Sequence, residues 1–217
     1  MSSNISSMNT PRNLASVGYN AVLNATRTPE MSCLRPAPYI VIDTSVAAGS
    51  PELLQALSVL EQLSIMVRAT RQGSAEYDGD SLFPLEGVWD LVESDKALTF
   101  DERVTPGKIM MCQASSLTIA EFDEHRQRLS TTIQTSQLLY LNAARLVTID
   151  EGLCVQILHL GQYNDEPASF AILNRFLQAH QLRRVSASTH REIYLVDART
   201  AQSAAYKTVL RLQVENI

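Results

Sequence analysis

Apolar residues recur along the chain at two spacings, one typical of strands and the other typical of helices. Residues 38–43 form a short β-branched run that predicts a strand. From residue 51 to about residue 71, apolar side chains lie three and four positions apart, as on the buried face of a helix. Strand-like runs follow at residues 82–91 and 108–113, so the first half is predicted to be a β-α-β-β unit.

Two local signals refine these elements. Pro84 and Gly87 interrupt the run at residues 82–91 and predict an edge or bulged strand, because proline has no backbone N–H to give to a ladder. Thr118 and Glu121 have the spacing of a capping box, which predicts a connecting helix at about residues 118–137.

The second half repeats the same order of elements. Residues 151–167 run from a strand into the start of a helix that is predicted to end near His180. Strand-like runs follow at residues 189–197 and 207–214. Two copies of one topology in tandem indicate an internal duplication, and the predicted fold class is α+β with two β-α-β-β repeats.

The domain organisation follows from these boundaries. Residues 1–36 are rich in Ser, Asn and Thr and have the composition of a flexible leader or peripheral wrap. The folded domain is expected over residues 37–217, with repeat one at about 37–114 and repeat two at about 147–216.

Composition narrows the classes of partner. A net charge of −5 and no visible basic stripe argue against direct binding of nucleic acid, and no apolar run reaches the length of a membrane span. Cys33, Cys112 and Cys154 are odd in number and widely spaced, which favours buried, reduced thiols over disulfides or a zinc site. We therefore expect a cytoplasmic protein that binds no membrane. The sequence is compatible with a monomer or a homodimer.

Candidate chemistry lies on the strand at residues 189–197. Side chains alternate between the faces of a strand, so Glu192 and Tyr194 share one face and Ile193 and Leu195 share the other. We expect the apolar pair to meet the helices and Glu192 to face a cleft on the opposite side of the sheet. A carboxylate among aromatic groups can bind a cation or act as a general acid or base; the alternative is a solvated strand face.

Glu166 is the second candidate acid. It lies in the first turn of a predicted helix, where it would favour the helix dipole and need do no more. If that helix begins beside Glu192, the two carboxylates can share a pocket and split their pKa values, one protonated and one ionised.

Aromatic residues supply candidate walls for a ligand pocket. Trp89, Tyr163, Tyr194 and Tyr77 are the candidate ligand-binding residues, although Trp89 is equally compatible with a core anchor. His159 is more typical of a satisfied core histidine than of a catalyst. Glycine-rich phosphate loops, Gly-x-Ser-x-Gly, His-Glu-x-x-His and Cys-x-x-Cys are absent from the sequence, so we expect neither a metal site nor a cofactor.

Several segments resemble the GyrI-like small-molecule-binding family, in particular its stand-alone branch. The resemblance is carried by residues 151–167, by His-Arg-Glu-Ile-Tyr-Leu at 190–195 and by Lys-Thr-Val-Leu-Arg at 207–211. In the first half, Pro-Leu-Glu-Gly-Val-Trp at 84–89 is similar to the branch's Pro-Leu-Glu-Gly-Leu-Trp pattern. The likeness covers about residues 36–215.

This resemblance implies a GyrI-like or SOUL-like fold in which the two repeats are related by a pseudo-twofold axis and enclose a ligand cleft. Some members of the branch are hydrolases that open the cyclopropane ring of DNA-alkylating cyclopropapyrroloindole antibiotics. By this likeness Glu192 and Glu166 would direct water, giving detoxification and antibiotic resistance. A binder that sequesters or senses aromatic, often cationic, small molecules is the alternative, and a protein-interaction module such as a topoisomerase inhibitor is a third hypothesis.

The chain departs from the branch at Arg191, where the branch has His, at Ala198, where it has Pro, and in the run before the branch's third strand. The branch has Asp-Glu-Trp-x-Trp-Thr before its third strand, whereas here Asp101-Glu102 is followed by residues 103–107 without tryptophan. Flat polycyclic ligands need stacking partners, so this change bears on ligand choice more than on the fold.

Overall fold

The computed structural model describes residues 16, 17, 19, 23–44, 49–71, 83–90, 107–197 and 199–217. The strands are β1 Ser16–Val17, β2 Glu30–Leu34, β3 Ala37–Asp43, β4 Leu85–Asp90, β5 Lys108–Cys112, β6 Arg145–Ile149, β7 Gly152–Leu160, β8 Leu182–Arg184, β9 Thr189–Tyr194 and β10 Lys207–Asn216. The helices are α1 Pro51–Ala69, α2 Ile119–Ser130, α3 Leu138–Ala143 and α4 Glu166–Ala179.

The strands form one curled sheet in the order β1-β2-β7-β10-β9-β4-β5-β3-β6, with β8 paired to the end of β10. Each predicted repeat is present: β3-α1-β4-β5 is the first and β7-α4-β9-β10 is the second. The two repeats meet where β4 pairs with β9, each being the second strand of its repeat. Moving outward from this contact, each repeat has its second strand, then its third and then its first: β4-β5-β3 on one side and β9-β10-β7 on the other. The tandem α+β prediction is confirmed.

The position of β4 differs from the prediction. It lies in the middle of the sheet, hydrogen-bonded to β9 on one side and to β5 on the other, and it is not an edge strand. Pro84 precedes the first residue of β4, so its missing N–H does not interrupt the ladder. Gly87 pairs with Glu192. It is a glycine because a side chain at this position would clash with neighbouring side chains.

The sheet also takes in part of the predicted leader. Residues 30–34 form β2, which pairs antiparallel with β7. Upstream, the N–H of Leu158 donates to the carbonyl of Thr26 at 2.7 Å. By pairing with β7, β2 satisfies the backbone groups along the outer side of that strand. Part of the sheet therefore lies before the predicted boundary at residue 36.

The helices cover one face of the sheet and create two apolar cores. In the first repeat, Leu60 and Leu63 of α1 pack on Ile40 and Ile42 of β3. In the second, Leu173 and Leu177 of α4 belong to a cluster with apolar side chains of β7 and β10.

Local sequence signals fix the starts of two of these helices. The hydroxyl of Ser50 accepts from the N–H of Leu53 at the start of α1. The capping box predicted from Thr118 and Glu121 is confirmed at the start of α2, with both reciprocal hydrogen bonds formed. No helix in the described part of the chain has the length and apolar character needed to cross a membrane.

The three cysteines are free thiols, as predicted. Cys112 and Cys154 are buried, whereas Cys33 is only half-buried. Burial raises the pKa of Cys154 to about 12, so its thiol is neutral at physiological pH.

A group of four charged side chains is buried on the sheet face opposite the helices. The Glu151 carboxylate accepts from Arg191 Nη1 at 2.8 Å and from Arg211 Nη1 at 2.9 Å. Arg191 Nη1 also lies 3.1 Å from Glu86, which in addition accepts from the hydroxyl of Tyr19. We call Glu86, Glu151, Arg191 and Arg211 the inner ion cluster; its two negative and two positive charges balance.

Burial sets the electrostatics of the inner ion cluster. Burial alone lowers the pKa of Arg191, but the nearby carboxylates of Glu151 and Glu86 more than offset this and raise it. Burial also raises the pKa of Glu86 against the opposing effect of the two arginines. Removing one partner would therefore leave an uncompensated charge in a site that is largely shielded from water.

We predict that Glu151→Gln lowers the free energy of unfolding by about 3–5 kcal/mol, because both arginines lose the carboxylate that they share. Urea denaturation followed by tryptophan fluorescence measures the change. The matched control is Glu215→Gln, which breaks the exposed Arg183–Glu215 pair and should cost less than about 1 kcal/mol. Equal costs for the two variants would contradict a structural role for the inner ion cluster.

Candidate functional site

A cavity of about 600 Å³ lies between α1 and the central strands, where the two repeats meet. Its wall is mainly apolar and takes residues from both repeats. These include Leu57 and Ile65 of α1, Trp89 of β4, Met111 of β5, Tyr194 of β9, and Tyr163 just before α4. Its size and its apolar wall suit a drug-sized aromatic molecule.

A chain of hydrogen bonds runs from this wall into the protein. Trp89 Nε1–H donates to the hydroxyl oxygen of Tyr194 at 2.6 Å. The Tyr194 hydroxyl donates to Glu192 Oε2 at 2.9 Å, and Glu192 Oε1 lies 2.8 Å from His190 Nε2. The indole can only donate, so the single proton of Tyr194 must point at Glu192. We call Trp89, Tyr194, Glu192 and His190 the cleft relay.

Both carboxylate oxygens of Glu192 have a partner in the cleft relay. Burial, followed by the Glu192 charge, raises the pKa of Tyr194 well above its usual value, so the phenol keeps its proton. One carboxylate oxygen of Glu192 accepts from Tyr194, and the other is placed to accept from the His190 ring. Such hydrogen bonds stabilise a carboxylate that is removed from water.

Glu166 joins Glu192 and His190 at the buried end of the cleft relay. It is the first residue of α4, and one ligand atom from each of the three side chains lies within 4.8 Å of the others. The ring of His190 is held in place by an edge contact with Phe170, at 4.7 Å between ring centroids. The structure thus brings together the two acids that the sequence singled out.

This carboxylate–imidazole–carboxylate group supports two kinds of chemistry. Two acids close together can hold one proton between them and so provide an acid and a base in one site. The same oxygen and nitrogen atoms are also a donor set of the type that holds a divalent metal ion, although no sequence motif indicated one.

The face of β9 that meets the helices is the reverse of the prediction. Glu192 and His190 point to the helix side, toward the start of α4. Ile193 instead packs with Ala25 and Val209 on the other side, where Leu195 and Leu23 also contact the cluster. The alternation along the strand was right, but both faces are buried, so the more apolar pair did not identify the helix side.

The two acids lie behind the cavity wall and do not form part of its described surface. Glu192 is 0% exposed and Glu166 is 1% exposed, whereas Tyr194 and Trp89 border the cavity. Tyr194 is therefore the group through which the cavity contacts Glu192.

Gly87 leaves the space that this arrangement needs. It pairs with Glu192 across β4 and β9, and a Cβ at this position would lie 2.7 Å from Trp89 Nε1 and 3.2 Å from the Tyr194 hydroxyl oxygen. Any side chain here would therefore push the indole away from Tyr194. This close approach explains the glycine without a need for unusual backbone angles.

His159 holds the loop that carries Tyr163 and Glu166. Its Nδ1 lies 3.0 Å from the Ser169 hydroxyl and its Nε2 lies 2.9 Å from the Gln162 carbonyl. Both ring nitrogens thus have partners, in agreement with a structural histidine. Tyr163 itself makes an edge contact with Tyr194, at 6.2 Å between ring centroids.

Tyr77, a predicted ligand-binding residue, lies outside the described part of the chain.

The sequence did not single out several residues that lie at the site. His190 shares a strand face with Glu192 and Tyr194, and this alternation could have identified it. Glu61 and Arg199 also line the cavity, but they lie 138 residues apart in sequence and no local pattern connects them.

Comparison with solved structures supports the architecture. An uncharacterized conserved protein from Listeria innocua superposes with a TM-score of 0.72 at 24% identity, over 91% of this chain and 97% of that one. Two hydrolases from the same organism give TM-scores of 0.74 and 0.68 at 21% and 20% identity; the alignments cover 93% and 90% of this chain and 100% and 96% of theirs. No protein-family model and no curated protein matches the sequence.

At these identities the comparisons establish the fold alone. They confirm the α+β fold that the sequence predicted. Activity, ligand and residue roles are not carried over from these proteins.

We predict that Gly87→Ala shifts the fluorescence emission of Trp89, the single tryptophan of the chain. The new methyl group displaces the indole, and a buried N–H that loses its acceptor costs about 1–3 kcal/mol of stability. Gly107→Ala is the control, because its nearest neighbour would lie at an ordinary 3.9 Å. Unchanged emission in Gly87→Ala would contradict the hydrogen bond between Trp89 and Tyr194.

Proposed function

We propose that the protein is a hydrolase that adds water to the cyclopropane ring of a DNA-alkylating, cyclopropapyrroloindole-type aromatic compound, and so inactivates it. The observation that carries the proposal is the pair of buried acids, Glu192 and Glu166, linked through Tyr194 to an apolar cavity of about 600 Å³. Such a cavity fits a flat aromatic substrate, and the acids supply the proton transfers that ring opening needs.

The reaction balances with the groups present. Water forms a C–O bond to the strained ring carbon, while the ring C–C bond breaks and its electron pair moves to the conjugated carbonyl oxygen of the substrate. One proton of the water passes to the site, and one proton passes from the site to that oxygen. Glu192, reached through Tyr194, provides the base, and the proton that it shares with Glu166 can return along the same path to that oxygen.

Tyr194 connects the reacting water to the base. Its hydroxyl donates to Glu192 and is the polar group of the cleft relay that lies beside the cavity. A water held there can give a proton to the Tyr194 oxygen while Tyr194 passes its own proton to Glu192. Trp89 and Tyr163 supply aromatic surface against which a flat substrate can stack.

The resemblance to the stand-alone GyrI-like branch supports the choice of substrate class, and the hydrolases from Listeria innocua share the fold. In a cell the activity would protect DNA, which fits a cytoplasmic detoxification or antibiotic-resistance protein. This role needs no bound cofactor, no membrane and no direct contact with nucleic acid.

We predict that Glu192→Gln and Tyr194→Phe each lower the turnover number by about 10²–10⁴-fold, the usual contribution of a positioned acid or base. Mass spectrometry of a cyclopropapyrroloindole substrate incubated with the protein measures a product that is heavier by one water. Glu215→Gln, at the exposed end of β10, is the control and should keep wild-type turnover.

A binder that sequesters or senses aromatic compounds is the second candidate function. It is favoured by the complete burial of Glu192 and Glu166 behind the aromatic wall, where neither carboxylate meets the cavity directly. If wild-type protein shows a ligand-induced thermal shift but forms no hydrated product, the hydrolase proposal is wrong and the binder stands.

A further inference from the structure

Three charged residues line the cavity and do not belong to the cleft relay. Glu61 comes from α1 of the first repeat, and Asp197 and Arg199 come from the segment after β9 of the second. Among the described residues that line the cavity, these are the charged ones. We call Glu61, Asp197 and Arg199 the rim triad.

Arg199 binds both acids of the rim triad at once. Its Nε and Nη2 donate to the two carboxylate oxygens of Asp197, each at 2.9 Å. Its Nη1 donates to Glu61 at 3.2 Å, and Nη2 also contacts the other oxygen of Glu61. Arg199 therefore ties the second repeat to α1 of the first across the cavity.

The charges of the rim triad do not cancel. Hydrogen bonds from Arg199 lower the pKa of Asp197, so this acid stays ionised. Two carboxylates and one guanidinium leave one negative charge beside an otherwise apolar wall. Without Arg199 the same wall would carry two.

Arg199 is more exposed than the inner arginines. Its side chain is 39% exposed, whereas those of Arg191 and Arg211 are 10% and 0% exposed. Water can solvate the separated partners of an ion pair at this exposure, which lowers the cost of opening it. A ligand cation could thus compete for the two carboxylates, but only by displacing the guanidinium.

We infer that Arg199 sets the charge selectivity of the cavity. Its guanidinium occupies the place that the positive charge of an aromatic cation would take, so Arg199 lowers the affinity for cations that the two carboxylates would otherwise give the cavity. The inference rests on the proposed function only in taking this cavity as the ligand site, and it holds equally for a hydrolase and for a binder.

Two flat tricyclic fluorophores of similar size test the inference: 10-methylacridinium, a permanent cation, and 10-methylacridone, which is neutral. A fluorescence titration measures the affinity of each probe for the wild-type protein and for its variants. Arg199→Gln should tighten binding of the cation about three- to fivefold, the size expected for one partly exposed charge pair, and leave the neutral probe within about twofold of wild type.

Further variants separate charge from shape. Glu61→Gln should weaken binding of the cation, and Arg199→Lys should keep the wild-type affinities because it keeps the charge. Arg183→Gln removes the same charge from the exposed pair with Glu215 and should change neither probe. A gain for the cation in Arg183→Gln, or an equal gain for both probes in Arg199→Gln, would overturn the inference.

The outcomes also distinguish this inference from the proposed function. Neither probe has a cyclopropane ring, so turnover does not enter the measurement. An Arg199→Gln variant that binds the cation no more tightly than wild-type protein does overturns the role of Arg199 alone. Wild-type protein that binds neither probe overturns the cavity as a ligand site, and the proposed function with it.

Discussion

The antiparallel contact between β4 and β9 is the constraint on which the rest of the structure depends. It joins the two repeats in the middle of the sheet, and its register decides which side chains meet. On the helix face, Gly87 opposite Glu192 makes room for Trp89 to reach Tyr194. On the other face, Arg191 reaches Glu86. A shift of one residue would exchange the two faces and dismantle both groups.

The two buried polar groups differ in composition, and this difference favours a structural role for one and a chemical role for the other. The inner ion cluster pairs two arginines with two glutamates; three of these side chains belong to β4, β9 and β10, and Glu151 directly precedes β7. At the other face, Glu192 contacts an imidazole and a phenol, and Glu166 lies near the same imidazole. Two acids beside an imidazole can exchange a proton, whereas paired acids and arginines mainly hold strands together.

The cavity combines these features into one binding surface. Its aromatic wall includes Tyr194, which connects a bound molecule to acids that water does not reach. Its rim carries Arg199, which moderates the negative charge that a ligand meets. Shape and aromatic surface would therefore hold a ligand, the cleft relay would act on it, and the rim triad would select its charge.

The sequence by itself determined the elements and their repetition, because strand and helix periods and the Thr118–Glu121 capping box are local signals. With the family resemblance, it also proposed Glu192, Glu166, Tyr194, Tyr163 and Trp89 as site residues, and these side chains lie near one another in the structure. It could not determine that β4 is central, that residues 30–34 join the sheet, or which face of β9 meets the helices. Those features, like the Glu61–Arg199 contact across 138 residues, depend on pairing between distant parts of the chain. In addition, when a sheet is buried on both faces, the polarity of the side chains does not show which face meets the helices. Only the tertiary structure decided them.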